Sequence, residues 1–367
     1  MKNGLLICSG SDVRKNIGDY IQSIAQEQFI GKDYQYVERE SLNTFKSDEK
    51  VNLIMNSWFM WHPENFPPSD DINPLFISFH INPSIASKLL TEKSIAYLKK
   101  YQPIGCRDTD TMRLLQSNGI DSYFSGCLTL TLGISYKTPQ KDGSIYFVDP
   151  YYEFCAGGGN FSRFYRLKNY LRALYHSFKT RRVVSKFYNN FSCEFHTKLY
   201  KISARLDRFV LASCFYEAYR IHFSDDVFLQ AKFISHMVVQ SNFKDDDEKM
   251  NYARLLINKY ARAQLIVTSR IHCALPALSV ETPVVFVTSE KLRGGSIRGA
   301  GRFGGLIDLM HVMEWTKCGL KIKTPELKRI LHNGKINKST DVGAKTEYRK
   351  LSEMMEERVR GFLSANL

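Results

Sequence analysis

Residues 264–288 decide the fold: Gln264-Leu265-Ile266-Val267-Thr268, then Ser269-Arg270, then Ile271-His272-Cys273-Ala274-Leu275-Pro276-Ala277-Leu278-Ser279, and after a short turn Pro283-Val284-Val285-Phe286-Val287-Thr288. The two β-branched apolar runs read as buried strands, and the stretch Ile271–Ser279 between them reads as a short helix. A strand, helix and strand in this order make a crossover unit, which places both strands in one parallel sheet.

Working outward, the same alternation covers most of the chain. Upstream lie a helix over Asp246–Ala263 and strands over Phe233–Gln240 and Ile145–Val148. The first part reads as a strand Gly4–Cys8, a helix Ile17–Ile30 with Ile17, Ile21, Ile24 and Ala25 on one stripe, and strands Val51–Met55 and Leu75–Phe79. A helix over Ser84–Lys100, interrupted near Thr91, and another over Thr109–Asn118, stopped by Gly119, precede a strand Tyr123–Leu132. The turn-rich residues 133–143 mark a boundary.

The expectation is an α/β protein of two Rossmann-like domains facing a central cleft, residues 1–135 and 144–344. The second carries a basic helical insertion over about 160–225, and a C-terminal helix in 345–367 packs back across the domains. In open α/β sheets a ligand sits at the carboxyl ends of the strands.

With 367 residues, 44% hydrophobic and 24% charged, the chain is not a disordered one. Its net charge of +14 is uneven: residues 160–210 hold twelve basic and two acidic residues, +10 of the total. Phe161, Phe164, Tyr165, Tyr170, Tyr175, Phe178, Phe187 and Tyr188 stand among those cations. That mixture suits an anionic membrane surface, with a solvated helical insertion as the plainer alternative. Without a helix-turn-helix or RNA-recognition signature, no nucleic acid is expected. The eight cysteines show no C-x-x-C spacing, and no H-E-x-x-H or similar set supports a metal. No secretory h-region and no apolar run of spanning length is present, so a cytoplasmic protein, placed peripherally on the inner face of the plasma membrane, is expected.

Arg270 and His272 stand where the strand 264–268 gives way to a helix, a place with free backbone N–H groups. Arg supplies a fork for carboxylate or phosphate, and His exchanges a proton near neutral pH. The alternative is an Arg satisfying a helix end and a His filling a gap. Downstream, Lys291, Arg293, Arg298 and Arg302 alternate with six glycines, a composition that lets backbone and cations close on phosphate but fails the P-loop spacing. A flexible solvated loop would look the same. Asn16-Ile17-Gly18-Asp19 opens the first helix, with Asn16 as N-cap and Asp19 either its capping-box partner or a group facing the acceptor. Of Arg107-Asp108, Asp108 is the cap and Arg107 the freer group, while His236 is a second-rank candidate beside Val238-Val239.

These stretches resemble the polysaccharide pyruvyl transferase family. The resemblance rests on Asn16-Ile17-Gly18-Asp19, on Gly105-Cys106-Arg107-Asp108 through Leu114-Leu115 to Gly119-Ile120, and most specifically on Ala263 to Val287. It does not extend over 155–225. It implies a fold like the glycosyltransferases of the two-Rossmann-domain type (GT-B), and transfer of pyruvate from phosphoenolpyruvate to a sugar as a cyclic ketal. The acceptor is a sugar of a surface polysaccharide or its lipid-linked precursor, and no cofactor is needed beyond phosphoenolpyruvate as co-substrate. Arg270 and His272 match the family's signature Arg and His, with Ile271 for the commoner Leu and Cys273 where Gly is common.

The expected roles are His272 as general acid, Arg270 with Ser269, Lys291, Arg293, Arg302 and His236 around phosphoenolpyruvate, and Asp19 orienting or deprotonating an acceptor held by Asn16, Gly18 and Arg107. Two other readings fit the same features. They are a sugar-nucleotide glycosyltransferase of the same fold and a non-catalytic, membrane-docked component of polysaccharide assembly.

Overall fold

The computed structural model describes residues 1–10, 13–152, 163–192, 204–290, 292, 303–316, 318–331 and 334–366, with side chains in the second long helix described from residue 174 on and at residue 171. The chain runs β1 (Lys2–Ile7), β2 (Arg14–Asn16), α1 (Ile17–Ile30), β3 (Gln35–Glu38), β4 (Val51–Ile54), β5 (Trp58–Phe59), β6 (Ile72–Leu75), β7 (His80–Ile81), α2 (Ala86–Leu89), α3 (Glu92–Lys100), β8 (Ile104–Cys106), α4 (Thr109–Ser117), β9 (Ser122–Phe124) and α5 (Gly133–Tyr136). It continues through β10 (Ile145–Val148), α6 (Arg163–Val184), α7 (Ala204–Tyr219), α8 (Asp225–Gln230), β11 (Lys232–Ile234), β12 (Met237–Val239), α9 (Asp246–Arg262), β13 (Leu265–Thr268), α10 (Ile271–Ser279), β14 (Val284–Ser289), β15 (His311–Thr316), β16 (Gly319–Ile322), α11 (Pro325–Ile330) and α12 (Arg349–Ser364).

Two sheets organise these elements. The first has the order β3-β1-β4-β6 and is parallel throughout. The second has the order β11-β10-β13-β14-β15-β16 and is parallel except for the β15–β16 pair at its edge. Strands buried on both faces, such as β10, β13 and β14, are the β-branched and aromatic runs that the crossover pattern requires.

The helices that reach the site are capped by their own sequence. The Asn16 side chain accepts a bond from the Gly18 N–H at 3.2 Å, and α1 ends at Gly31, whose φ of 74° only glycine adopts freely. The Asp245 carboxylate does the same for the Glu248 N–H at 2.9 Å and opens α9. Thr91 caps α3, which is the interruption expected in 84–100.

One core joins the two sheets. Ile17, Ile21 and Ile24 of α1 pack with Met250, Ala253, Leu256 and Ile257 of α9, Ala274, Leu275 and Leu278 of α10, and Met355 and Val359 of α12. The short antiparallel pair β2–β12 and the bond from the Ile17 N–H to the His236 carbonyl at 2.9 Å fasten the same junction. Helix α12 packs against α1 and the turn 128–131. A second core of Phe147, Phe215, Tyr219, Phe223 and Phe228 fills the far face of the larger sheet, beneath α7.

Three strands expected from apolar runs are shorter than that pattern. In 75–79 the strand stops at Leu75, because Pro74 sits on an edge strand and Ser78 turns the chain at φ 58°. In 123–132 it stops at Phe124, because Gly126 (φ 76°) breaks it and residues 128–131 coil into a 3-10 turn. In 233–240 it divides at Ser235-His236 into β11 and β12, which belong to different sheets. In 128–132 burial, not sheet pairing, accounts for the apolar residues, whereas Phe76 and Phe79 bond to the backbone of β8 and the apolar residues of 233–239 pair in two different sheets. Among the described residues no helix is long and apolar enough to cross a membrane.

Candidate active site

The N-terminus of α10 meets the N-terminus of α1. Gly18 lies so close to His272 that a Cβ there would stand 2.9 Å from the His272 Cβ and 3.2 Å from its Nδ1. His272 is the second residue of α10, is buried, and faces the first turn of α1. Arg270 occupies the N-cap position without capping the helix through its side chain, so the positive end of the helix is left for other groups.

Arg270 is aimed from below. Its Nε donates to the Asp149 carboxylate at 2.9 Å, and Asp149 is fully buried at the carboxyl end of β10 with φ at 42°. The same carboxylate accepts from the His236 N–H at 2.9 Å and the Ser235 hydroxyl at 3.4 Å. Asp149 was not singled out from sequence. The signal was available, since it is the first charged residue after a wholly apolar strand.

Two expected ligand groups are otherwise engaged. The Ser269 hydroxyl donates to the Val287 carbonyl at 2.5 Å and accepts from the Tyr151 N–H at 2.9 Å, so it ties three segments of the sheet together. The His236 ring is fully buried, bonds the Tyr260 hydroxyl at 2.6 Å, and is pushed down to about 3 by that burial, against the pull of Asp149. A neutral, enclosed imidazole positions backbone and does not meet a substrate. Cys273 points into the core, where burial pushes its thiol up to about 12.

Arg107, expected to be the freer group, is buried at 4% exposure. Its Nε stands 3.8 Å from Asp108, outside hydrogen-bond range, and has no hydrogen-bond partner among the described residues. Asp108 is taken up elsewhere: it caps α4 through the Thr111 N–H at 2.9 Å and binds His80 at 2.5 Å. Burial works to raise the Asp108 carboxyl, but His80, Arg107 and the Thr111 N–H outweigh it and hold the group below its ordinary range. For Arg107, burial lowers the affinity for its proton, opposed by Asp108, Cys127 and Asp19.

Asp19 follows Gly18 on the exposed side of α1 and is half-buried. Burial raises its carboxyl, while Arg39, Lys15 and Arg107 pull it back. Arg39 also escaped the sequence reading. It is 1% exposed, donates to Ser57 at 3.2 Å and to the Cys8 sulfur at 2.9 Å, pairs with Glu40 at 2.7 Å, and lies over the Trp58 ring.

Beside this cluster, at the carboxyl ends of β1 and β3, an open cavity of about 530 Å³ is lined by Ser9, Gly10, Glu38, Glu40, His62 and Asn65. Lys291, Arg293, Arg298 and Arg302 lie outside the described residues. Just after them, the Gly304 carbonyl accepts from the Thr109 N–H at 3.1 Å, two residues from Arg107.

The family model for polysaccharide pyruvyl transferases matches residues 16–291, three quarters of the chain, and so takes in α1, Arg107, Asp149, Arg270 and His272. The chain belongs to the polysaccharide pyruvyl transferase family. No curated protein matches it. Membership implies a polysaccharide or sugar acceptor, and the matched span holds both helix N-termini that meet at Gly18 and His272.

Proposed function

We propose that this pyruvyl transferase takes its pyruvyl group from phosphoenolpyruvate and forms a cyclic ketal on a sugar of a surface polysaccharide or its lipid-linked precursor. The observation that carries the reading is Arg107: it is buried, and its Nε has no hydrogen-bond partner among the described residues, which is costly unless an anion completes it. Arg270, held by Asp149 at the open N-terminus of α10, supplies a second cation. Together they suit the carboxylate and phosphate of phosphoenolpyruvate, which moves Arg107 from the acceptor to the donor. Lys291, Arg293 and Arg302, which follow β14 in the sequence, are the further cations we assign to the phosphate.

Chemically, His272 protonates the methylene carbon, C2 becomes electrophilic and a sugar hydroxyl attacks it. The C2–O bond to phosphate then breaks, and a second hydroxyl closes the ketal. One hydroxyl proton ends on the new methyl group and the other on phosphate. Asp19, raised by burial, is suited to take a proton from the acceptor, and Asn16 and Gly18 form the floor on which it lies. The cavity at Glu38, Glu40, His62 and Asn65 offers acceptors for further sugar hydroxyls, with Trp61, 66% exposed and tilted against Trp58 at a centroid distance of 4.7 Å, as a flat surface beside it. The two parallel sheets would then act as the halves of a GT-B-like arrangement, although a shared core joins them.

The test is incubation with phosphoenolpyruvate and a panel of glycans, followed by phosphate release and the ketal methyl signal by NMR. Equimolar phosphate and ketal support the reading. Transfer from a nucleotide sugar with neither product would overturn it in favour of a glycosyltransferase.

A further inference from the structure

Helix α6 carries apolar residues on both of its faces. Its inner face is satisfied: Ser177, Thr180 and Val184 are buried, and Leu174 and Val183 pack on the aromatic core beside α7. On the opposite side Leu171, Tyr175 and Phe178 are 57%, 56% and 67% exposed, at the i, i+4, i+7 spacing of a single stripe. Among the described residues nothing covers that stripe.

Cations surround it. Lys179, Arg181, Arg182 and Lys186 are exposed on the same helix and its end, and none pairs with a carboxylate among the described residues. Lys179 lies over the Tyr175 ring at 4.7 Å and Arg181 over the Phe178 ring at 5.0 Å, so the charges sit directly at the edges of the apolar stripe. From α7 and its approach come Arg205, bonded to the Tyr188 hydroxyl, and Arg208, bonded to the Asn189 carbonyl, both exposed and neither bonded to an acid.

We infer that the outer face of α6 docks on an anionic lipid bilayer, with Leu171, Tyr175 and Phe178 entering the boundary between headgroups and acyl chains and the cations meeting lipid phosphates. The charge complementarity selects this occupant. A second copy of the chain would bring the same unpaired cations face to face, and a nucleic acid would use the cations but leave Leu171 and Phe178 in water. Aromatic and aliphatic side chains ringed by Lys and Arg are the composition of an interfacial helix, in which each cation near an anionic surface adds to the attraction.

Co-sedimentation of the full chain with vesicles of phosphatidylcholine alone, or with 30% phosphatidylglycerol, tests this. We expect binding only to the anionic vesicles. Leu171→Gln/Tyr175→Gln/Phe178→Gln should weaken it at least tenfold, and Lys179→Gln/Arg181→Gln/Arg182→Gln should weaken it and remove its salt dependence. Because these side chains are exposed, the thermal midpoint should not move in either variant. Anionic-vesicle binding unchanged in the first variant would overturn the proposal. So would failure of the wild type to bind while it retains duplex DNA, or self-association that the first variant abolishes in the absence of vesicles.

Discussion

Gly18 and His272 touch across the junction between the two sheets, with room for no side chain between them: an added Cβ would approach the His272 Cβ to 2.9 Å. This contact sets the position of the proposed general acid from the first turn of another helix. Gly18→Ala should cost about 1–3 kcal/mol of stability, because its Cβ overlaps the His272 Cβ and alanine's better helix propensity offsets only part of that. It should lower turnover by roughly 10- to 100-fold through displacement of the imidazole. Thermal unfolding alongside steady-state rates separates the two effects, and equal loss of both would refute a positioning role.

Asp149 and Arg270 should behave as one unit. Asp149→Asn keeps the shape but removes the charge beneath the guanidinium, so affinity for phosphoenolpyruvate should fall roughly tenfold, as for Arg270→Ala, and the double variant should fall little further. A double-mutant cycle in ligand affinity checks this, and full additivity would uncouple the pair.

His236 gives the protein a defined sensitivity to acid. Its folded-state value near 3 lies below the ordinary 6.5, so the unfolded chain binds one more proton between those limits. Stability is therefore fully present above pH 6.5 and is lost as pH falls towards 3, by about 1.4 kcal/mol per pH unit for one proton. Urea unfolding between pH 4 and 7 should show a shallower slope in His236→Phe by close to one proton. An unchanged slope would mean that the imidazole is not held neutral.

Arg39 is enclosed by Glu40, Ser57, Cys8 and Trp58, and Arg39→Ala strands Glu40 without its partner. A loss of about 3–5 kcal/mol is expected by chemical denaturation. Arg39→Lys should recover only part of it, because ammonium cannot make the planar set of bonds.

Much of the scaffold was legible in the chain. The helices 17–30 and 271–279 and the strand 145–148 have the bounds that periodicity and capping gave them, because local pattern and burial agree there. The strand 123–132 fell short where apolar residues fill a core without pairing, and 233–240 where one apolar run divides between two sheets, neither of which alternation alone distinguishes. Gly18 and His272 lie against each other at the starts of α1 and α10, and Arg270 occupies the N-cap of α10. Ser269 and His236 do not join them, since hydroxyl and imidazole were needed inside to satisfy buried backbone and Tyr260. Asp149 stood out in the sequence only as the first charged residue after an apolar strand, its partner Arg270 lying 121 residues away, and Arg39 became visible only in three dimensions, through Cys8 31 residues away.

The most direct measurement is thermal stabilisation by phosphoenolpyruvate, with UDP-sugars as controls, for the wild type, Arg270→Ala and Arg107→Met. At a ligand concentration of about 100 times Kd the wild type should gain roughly 2.7 kcal/mol. Arg107→Met should be as stable as the wild type or more so without ligand, because a buried cation whose Nε lacks a hydrogen-bond partner among the described residues has been removed, and both variants should lose the response. A response to UDP-sugars alone, or a full response to phosphoenolpyruvate in Arg107→Met, would contradict the assignment of this junction as the donor site.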